Sequence, residues 1–157
     1  MIQLIENAQG FSSGLAIKSE GSAYSYAELL DRSHQIASSL LQGRSDLAEA
    51  RIAFIVDPGF EYVAMQWGIW RAGGIAVPLC VKHPYLSIKY VIEDTGAEAI
   101  IYSEDFRDLI EPLFSDFNIR SLPLDTISLV KSVLPDIAPQ RRAMILYTSG
   151  TTGNPKG

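Results

Sequence analysis

The sequence is poor in the residues that form disulfides and bind metals. Its 157 residues include one cysteine, Cys80, and two histidines, His34 and His83. A single cysteine excludes an internal disulfide and fits a reducing compartment. Neither histidine has a second type of ligand at a useful spacing, so we predict no metal site. Because Cys80 has no partnered histidine, we predict a small buried apolar residue there and not a nucleophile.

An excess of basic residues and long apolar runs are also missing. Asp and Glu number 18 against 13 Lys and Arg, and the net charge of −5 argues against nucleic acid as a partner. The N-terminus lacks the basic and apolar regions of a secretory signal. Charged residues interrupt the most apolar region, so no integral membrane segment is expected. These absences predict a cytoplasmic location for a chain of ordinary globular composition.

Apolar runs with the length of buried strands alternate with helical patterns along the chain. In order, these segments are strand 51–56, helix 60–72, strand 75–79, helix 84–95, strand 99–102, helix 105–114 and strand 119–122. Near-continuous apolar strands are typical of parallel sheets covered on both faces. The alternation therefore predicts an α/β fold with right-handed crossovers, in which helices flank a mostly parallel sheet.

The N-terminal part carries a clear signal for the start of a helix. Short strands are predicted at 15–18 and around Tyr24. Ser25 with Glu28 three residues later has the pattern of a capping box, and Gly43 is a plausible end for the helix that follows. Residues 1–14 give no clear prediction.

A connector with three prolines covers 123–142, with a short helix predicted near 127–133. The apolar run 143–147 that follows it is predicted to be a buried strand.

Glycines and hydroxyl side chains then dominate 148–157. Glycines let backbone N–H groups approach an anion closely, and a lysine ammonium suits phosphate oxygens. The candidate phosphate-binding residues are Thr148, Ser149, Gly150, Thr151, Thr152, Gly153 and Lys156.

The order of residues in this loop separates it from other nucleotide motifs. Composition of this kind is also typical of solvated linkers. A Walker A loop would place Lys between Gly and Ser/Thr, whereas Lys156 stands between Pro155 and Gly157. The Gly-x-Gly-x-x-Gly pattern of dinucleotide folds is absent too.

Tyr-Thr-Ser-Gly-Thr-Thr-Gly-Asn-Pro-Lys-Gly at 147–157 resembles the phosphate loop of the adenylate-forming superfamily. This superfamily contains acyl-CoA synthetases, the adenylation domains of peptide synthetases, and luciferases. Segments 25–29 and 71–79 resemble a helix entrance and a second core motif of the same superfamily. The segments 82–84 and 90–94 are similar to the malonyl-CoA synthetase branch.

The resemblance implies an ATP-dependent ligase that activates a carboxylic acid as an acyl-adenylate and transfers it to coenzyme A. ATP, Mg²⁺ and coenzyme A would be its cofactors, and malonate or a similar short acid its substrate. The seven candidate residues of the loop would surround the β- and γ-phosphates of ATP. A fatty acyl-CoA synthetase for longer chains is the main alternative within the superfamily.

The resemblance also implies that 1–157 is the N-terminal portion of an AMP-binding domain. Family members are several times longer, and their adenine-binding segment, Mg²⁺-associated glutamate and catalytic lysine have no counterpart here. We therefore expect no catalytic residue in this chain and no activity from it alone. Apolar surface left uncovered would favour a homo-oligomer. A non-catalytic nucleotide-binding or regulatory module is the alternative from a different class.

Several other residues suit either a site or ordinary structure. Lys82 and His83 follow a predicted strand and suit contact with a charged substrate or coenzyme A, but a plain loop is the favoured interpretation. Trp67 and Trp70 are predicted to lie in the core. Asp46, Glu49 and Arg51 are predicted to lie on a solvated turn.

Overall fold

The computed structural model describes residues 2–19, 21–148 and 156–157. Six strands and five α-helices lie in these ranges. In chain order they are α1 (Gln3–Gly10), β1 (Leu15–Ser19), β2 (Ser22–Ser25), α2 (Tyr26–Leu41), β3 (Arg51–Ile55), α3 (Phe60–Arg71), β4 (Ile75–Pro78), α4 (Tyr85–Thr95), β5 (Ala99–Tyr102), α5 (Arg107–Asp116) and β6 (Arg120–Pro123). Short 3₁₀ turns occupy Glu104–Phe106 and Leu124–Thr126.

A four-stranded parallel sheet forms the centre of the fold. Its strand order is β4-β3-β5-β6, while β1 and β2 form a separate antiparallel pair. Ile52 lies opposite Ala76 on one side and Ala99 on the other, so β3 is fully paired. All four strands point the same way, and the loops that follow them therefore meet at one edge of the sheet. The predicted α/β class and parallel sheet are confirmed.

Alternate residues of β3 divide the core into two layers. Ile52 and Phe54 pack with α2 and α3, whereas Ala53 and Ile55 pack with α4 and α5 on the opposite face. Each of these four side chains is at most 1% exposed. This two-sided burial explains why the sequence of β3 is apolar throughout and does not alternate.

Helix α2 begins at the capping box that the sequence predicts. The Ser25 hydroxyl accepts a hydrogen bond from the Glu28 amide at 3.3 Å, and the Ser25 amide donates to the Glu28 carboxylate at 2.7 Å. The helix ends before Gln42, which takes a left-handed conformation with φ of 45°. Gly43, the predicted end, follows directly with φ of 86°.

The N-terminal and connector regions differ from the sequence-based expectations. Residues 3–10, which carry no clear sequence pattern, form α1. The short helix predicted near 127–133 does not form. That segment instead crosses α2 as an extended strap, because the Ser38 and Ser39 hydroxyls accept hydrogen bonds from the Ser132 and Ser128 amides at 2.9 and 3.1 Å.

The surface carries a number of large apolar side chains. They are Leu4, Phe11, Leu15, Leu86, Leu129, Val130, Val133 and Leu146, each at least 49% exposed. Within the described part of the chain, every helix is too short or too polar to cross a bilayer. The homo-oligomer expected from exposed apolar surface stays a prediction.

Gly68 brings α2 and α3 into close contact, and its substitution tests their packing. A Cβ at Gly68 would lie 2.6 Å from Ile36 Cγ2 and 3.1 Å from the Ser33 carbonyl oxygen. Ile36 is fully buried and β-branched, so it has little room to move. We expect Gly68→Ala to lower the free energy of unfolding by about 1–3 kcal/mol, measured by urea denaturation. Gly10→Ala, which meets open space, is the matched control; equal stability of the two variants would contradict this packing.

Candidate functional site

The segment that carries the loop joins the sheet beside β4. The Ala76 amide donates to the Ala143 carbonyl at 2.9 Å, and the Ile145 amide donates to the Ala76 carbonyl at 2.9 Å. These bonds form a single parallel bridge between Ala76 and Met144. The prediction of a buried strand at 143–147 is therefore wrong in its burial: Leu146 is 58% exposed, because the segment lies at the open edge of the described sheet.

Two arginines anchor the chain just before this segment. Arg142 donates two side-chain hydrogen bonds to Glu49, at 2.5 and 3.0 Å, and its amide donates a third at 2.9 Å. Arg141 pairs with Asp46 at 2.6 Å. The turn at 46–49 is thus a docking turn for this segment and not the solvated turn that the sequence predicts.

This docking turn has an unusual backbone. Ala48 and Glu49 take left-handed conformations, with φ of 53° and 65°, which are uncommon for residues with a side chain. Three hydrogen bonds hold them: Asp46 accepts from the Ala48 amide at 2.7 Å, and the Leu47 and Glu49 amides donate to carbonyls at the end of α3. The geometry presents the Glu49 carboxylate to Arg142, and these bonds lower its pKa.

The Trp70 side chain donates a second hydrogen bond to the Ala143 carbonyl, which already accepts one from the Ala76 amide. Its Nε1–H donates to the Ala143 oxygen at 2.6 Å. Trp67 is 6% exposed and lies in the core as predicted, whereas Trp70 is only partly buried. The sequence predicts that both tryptophans lie in the core, and no sequence pattern indicates the bond between Trp70 and Ala143.

Thr148 and Lys156 close the predicted phosphate loop at its base. Each amide donates to the carbonyl of the other, at 2.8 and 3.1 Å. The predicted site residues Ser149, Gly150, Thr151, Thr152 and Gly153 lie outside the described residues. The described part of the site therefore consists of the two ends of the loop and the surface that supports them.

Tyr147 connects this base to helix α4. Its hydroxyl donates a hydrogen bond to the Asp94 carboxylate, and its ring lies edge-on to Tyr90 with centroids 6.5 Å apart. Partial burial, followed by this hydrogen bond, raises the pKa of Tyr147. The phenol therefore stays protonated and keeps its donor at physiological pH.

A cleft of about 260 Å³ lies beside Tyr147 at the carboxyl edge of the sheet. Residues that follow β3 and β4 line it, together with Leu146 and α4. The prediction that Cys80 is buried is wrong: it lies exposed on this cleft, because β4 ends at Pro78 and the chain turns outward. His83 also lines the cleft, and its amide donates to the Cys80 carbonyl at 3.0 Å.

The described ends of the loop suit a phosphate group in part. Lys156 is exposed and offers an ammonium, and the Thr148 hydroxyl is also at the surface. The amides of both residues are already paired with each other, so neither is available to an anion. Among the described residues, no group of three or more His, Cys, Asp or Glu is placed to hold a metal ion.

A parallel sheet flanked by helices, with the two ends of a glycine- and hydroxyl-rich segment at its carboxyl edge, is typical of nucleotide-binding α/β proteins. Comparison with known families makes this assignment specific. Residues 4–157 match the AMP-binding enzyme family. The chain belongs to this family, as the sequence resemblance predicts.

Named relatives and solved structures agree with the family assignment. The mitochondrial malonate–CoA ligase of Mus musculus is 35% identical over 96% of this chain and 28% of its own length. Apo MatB from Rhodopseudomonas palustris has 26% identity and a TM-score of 0.75, over 93% of this chain and 31% of that one. The structure of McyG A-PCP with phenylalanyl-adenylate has a TM-score of 0.80 at 22% identity, over 99% and 27%. The chain thus spans less than a third of the length of these proteins.

Breaking the Glu49–Arg142 contact tests the docking turn. We expect Glu49→Gln to lower the stability of the protein at neutral pH, because the neutral amide accepts weaker bonds from Arg142. The folded state depresses the pKa of Glu49 below the ordinary 4.5. The difference from the native protein should therefore be present above that value and vanish as the pH falls through the folded pKa.

Urea denaturation at about pH 7 and about pH 3 measures this difference. Glu111→Gln is the control, since Glu111 is exposed on α5 and acts on the described residue Arg107 through charge alone, without a hydrogen bond. A loss of stability that is the same at both pH values would refute the role of the carboxylate.

Proposed function

We propose that this chain is the N-terminal part of an acid–CoA ligase and that its loop at 148–156 contacts the phosphates of ATP. The paired Thr148 and Lys156 carry the proposal, because they hold a glycine-rich loop closed at the edge of the sheet where ligands bind in such folds. The family assignment supports ATP and coenzyme A as the compounds used.

Charge is the physical problem that such a loop would solve. A carboxylate that attacks ATP must approach a polyanion, so fixed donors have to offset the phosphate charge. The Lys156 ammonium supplies a positive charge, and the Thr148 hydroxyl would have to leave its long 3.4 Å bond to the Lys156 carbonyl to donate to a phosphate. Mg²⁺, when bound to ATP, neutralises further phosphate charge. In this proposal Lys156 binds ATP and also stabilises pyrophosphate as it leaves.

We propose malonate or a similar short acid as the substrate. Support comes from the names of relatives, since malonate–CoA ligases of Mus musculus, Homo sapiens and Arabidopsis thaliana each match at least 91% of the chain. A longer fatty acid is the alternative substrate. A non-catalytic nucleotide-binding module is the alternative function. Assays of ATP binding and of pyrophosphate exchange separate the malonate enzyme, the longer-chain enzyme and the non-catalytic module.

The location of the protein stays a separate prediction. The composition of the sequence predicts a cytoplasmic location, while the malonate–CoA ligase of Mus musculus is mitochondrial. No feature of the described residues decides between these compartments. Imaging of the tagged protein in its own cells would do so.

Removal of the lysine tests the phosphate contact. We expect Lys156→Ala to weaken binding of ATP·Mg²⁺ by about 10–100-fold, because a hydrogen bond to a charged group contributes about 1.5–3 kcal/mol. Calorimetry on the longest polypeptide that the gene encodes measures the affinity. Lys18→Ala, which removes an exposed lysine from β1, is the control. Equal ATP affinity of the Lys156→Ala variant and the native protein would refute the proposal.

A panel of acids tests the substrate and the catalytic class. We expect the complete enzyme to exchange pyrophosphate into ATP about tenfold or more faster with malonate than with octanoate or palmitate. We expect the 157-residue chain alone to show no exchange. Faster exchange with the fatty acids would favour the longer-chain enzyme, and ATP binding without exchange for any acid would favour the non-catalytic module.

A further inference from the structure

Tyr147 is connected to both ends of the loop. At the first end, Tyr147 directly precedes Thr148 in the chain. On the other side Gly157, which follows Lys156, lies against the ring: a Cβ built there would be 2.7 Å from Cζ and 2.9 Å from Cε2. Real Cβ contacts are essentially never shorter than 3.0 Å. Only a glycine can therefore cross the hydroxyl end of this ring without displacing it.

The same end of the ring is attached to α4. The hydroxyl on Cζ donates to Asp94, one residue before the end of that helix, and Tyr90 packs edge-on one turn earlier. A hydrogen bond to an ionised acceptor is stronger than one between neutral groups. Gly157 and Asp94 thus contact Tyr147 within a few ångströms of its hydroxyl.

We propose that Tyr147 is a positioning residue that couples both ends of the loop to helix α4. Three linked contacts carry this inference: the Asp94 hydrogen bond, the Gly157 contact, and the backbone pair between Thr148 and Lys156. Together they fix the backbone from which the Lys156 side chain extends. The consequence for ATP binding rests on the proposed function, whereas the coupling itself does not.

Edge packing alone would give Tyr147 a different role. In that case the ring would only cover apolar neighbours, and its hydroxyl would not matter to the loop. The two roles differ in what Tyr147→Phe changes, because this variant keeps the ring and removes only the bond to Asp94. A coupling role predicts looser pairing of Thr148 with Lys156, and a packing role predicts no change there.

Hydrogen exchange of individual amides, followed by NMR, measures the pairing directly. We expect Tyr147→Phe to speed exchange of the Thr148 and Lys156 amides by about tenfold relative to the native protein. Amides in β3 and β5 should keep their native rates. Tyr90→Phe is the matched control: the Tyr90 hydroxyl bonds no other described residue, and its ring contact with Tyr147 is retained.

Gly157→Ala tests the contact between Gly157 and the ring without removing any hydrogen-bonding group. The added Cβ should displace the ring or the chain end and speed exchange of the same two amides. Asp94→Asn, which keeps an acceptor but removes its charge, should have a smaller effect than Tyr147→Phe. Native exchange rates at both amides in folded Tyr147→Phe and Gly157→Ala would overturn the coupling.

ATP affinity of the same variants separates this inference from the proposed function. If the native protein binds ATP·Mg²⁺, Tyr147→Phe should weaken binding while Tyr90→Phe should not. Faster amide exchange without weaker ATP binding would overturn the positioning role. If the native protein binds no ATP, the proposed function fails, and the exchange rates still decide whether Tyr147 couples the loop to α4.

Discussion

Two backbone hydrogen bonds at Ala76 attach the segment that carries the candidate loop to the sheet. The fully buried Ala76 donates to Ala143 and accepts from Ile145, both at 2.9 Å. No longer ladder holds this segment among the described residues, because the bridge to Met144 is isolated. The direction of 143–148, and hence the position of Thr148 at the carboxyl edge, depends on this one bridge and on the side chains around it.

Those side chains come from three separate parts of the fold, and each part fixes a different point of the segment. The docking turn at 46–49 holds Arg141 and Arg142, helix α3 reaches Ala143 through Trp70, and helix α4 reaches Tyr147 through Asp94. A single bridge leaves an edge segment free to twist about its axis. Contacts before, at and after the bridge remove this freedom, which explains how so short a pairing can orient a loop.

Local patterns explain which elements the sequence predicts and which it does not. The capping box at Ser25 and the apolar run of β3 use neighbouring residues, and both occur as predicted. The Tyr147–Asp94 and Arg142–Glu49 contacts join residues 53 and 93 positions apart, and no spacing rule connects such pairs. The predicted burial of 143–147 is wrong for a related reason: apolar composition indicates a strand but does not say whether an outer neighbour covers it.

The position of these contacts matters because a glycine-rich loop is costly to order. Glycine loses more conformational freedom than any other residue when it is fixed, and anion binding by such a loop must overcome that loss. Contacts inside the loop would compete with the anion for the same N–H groups. The contacts described at its base use the amides of Thr148 and Lys156 and the Thr148 hydroxyl. Anchoring the ends to the docking turn, α3 and α4 therefore reduces the ordering cost that a bound anion would have to offset.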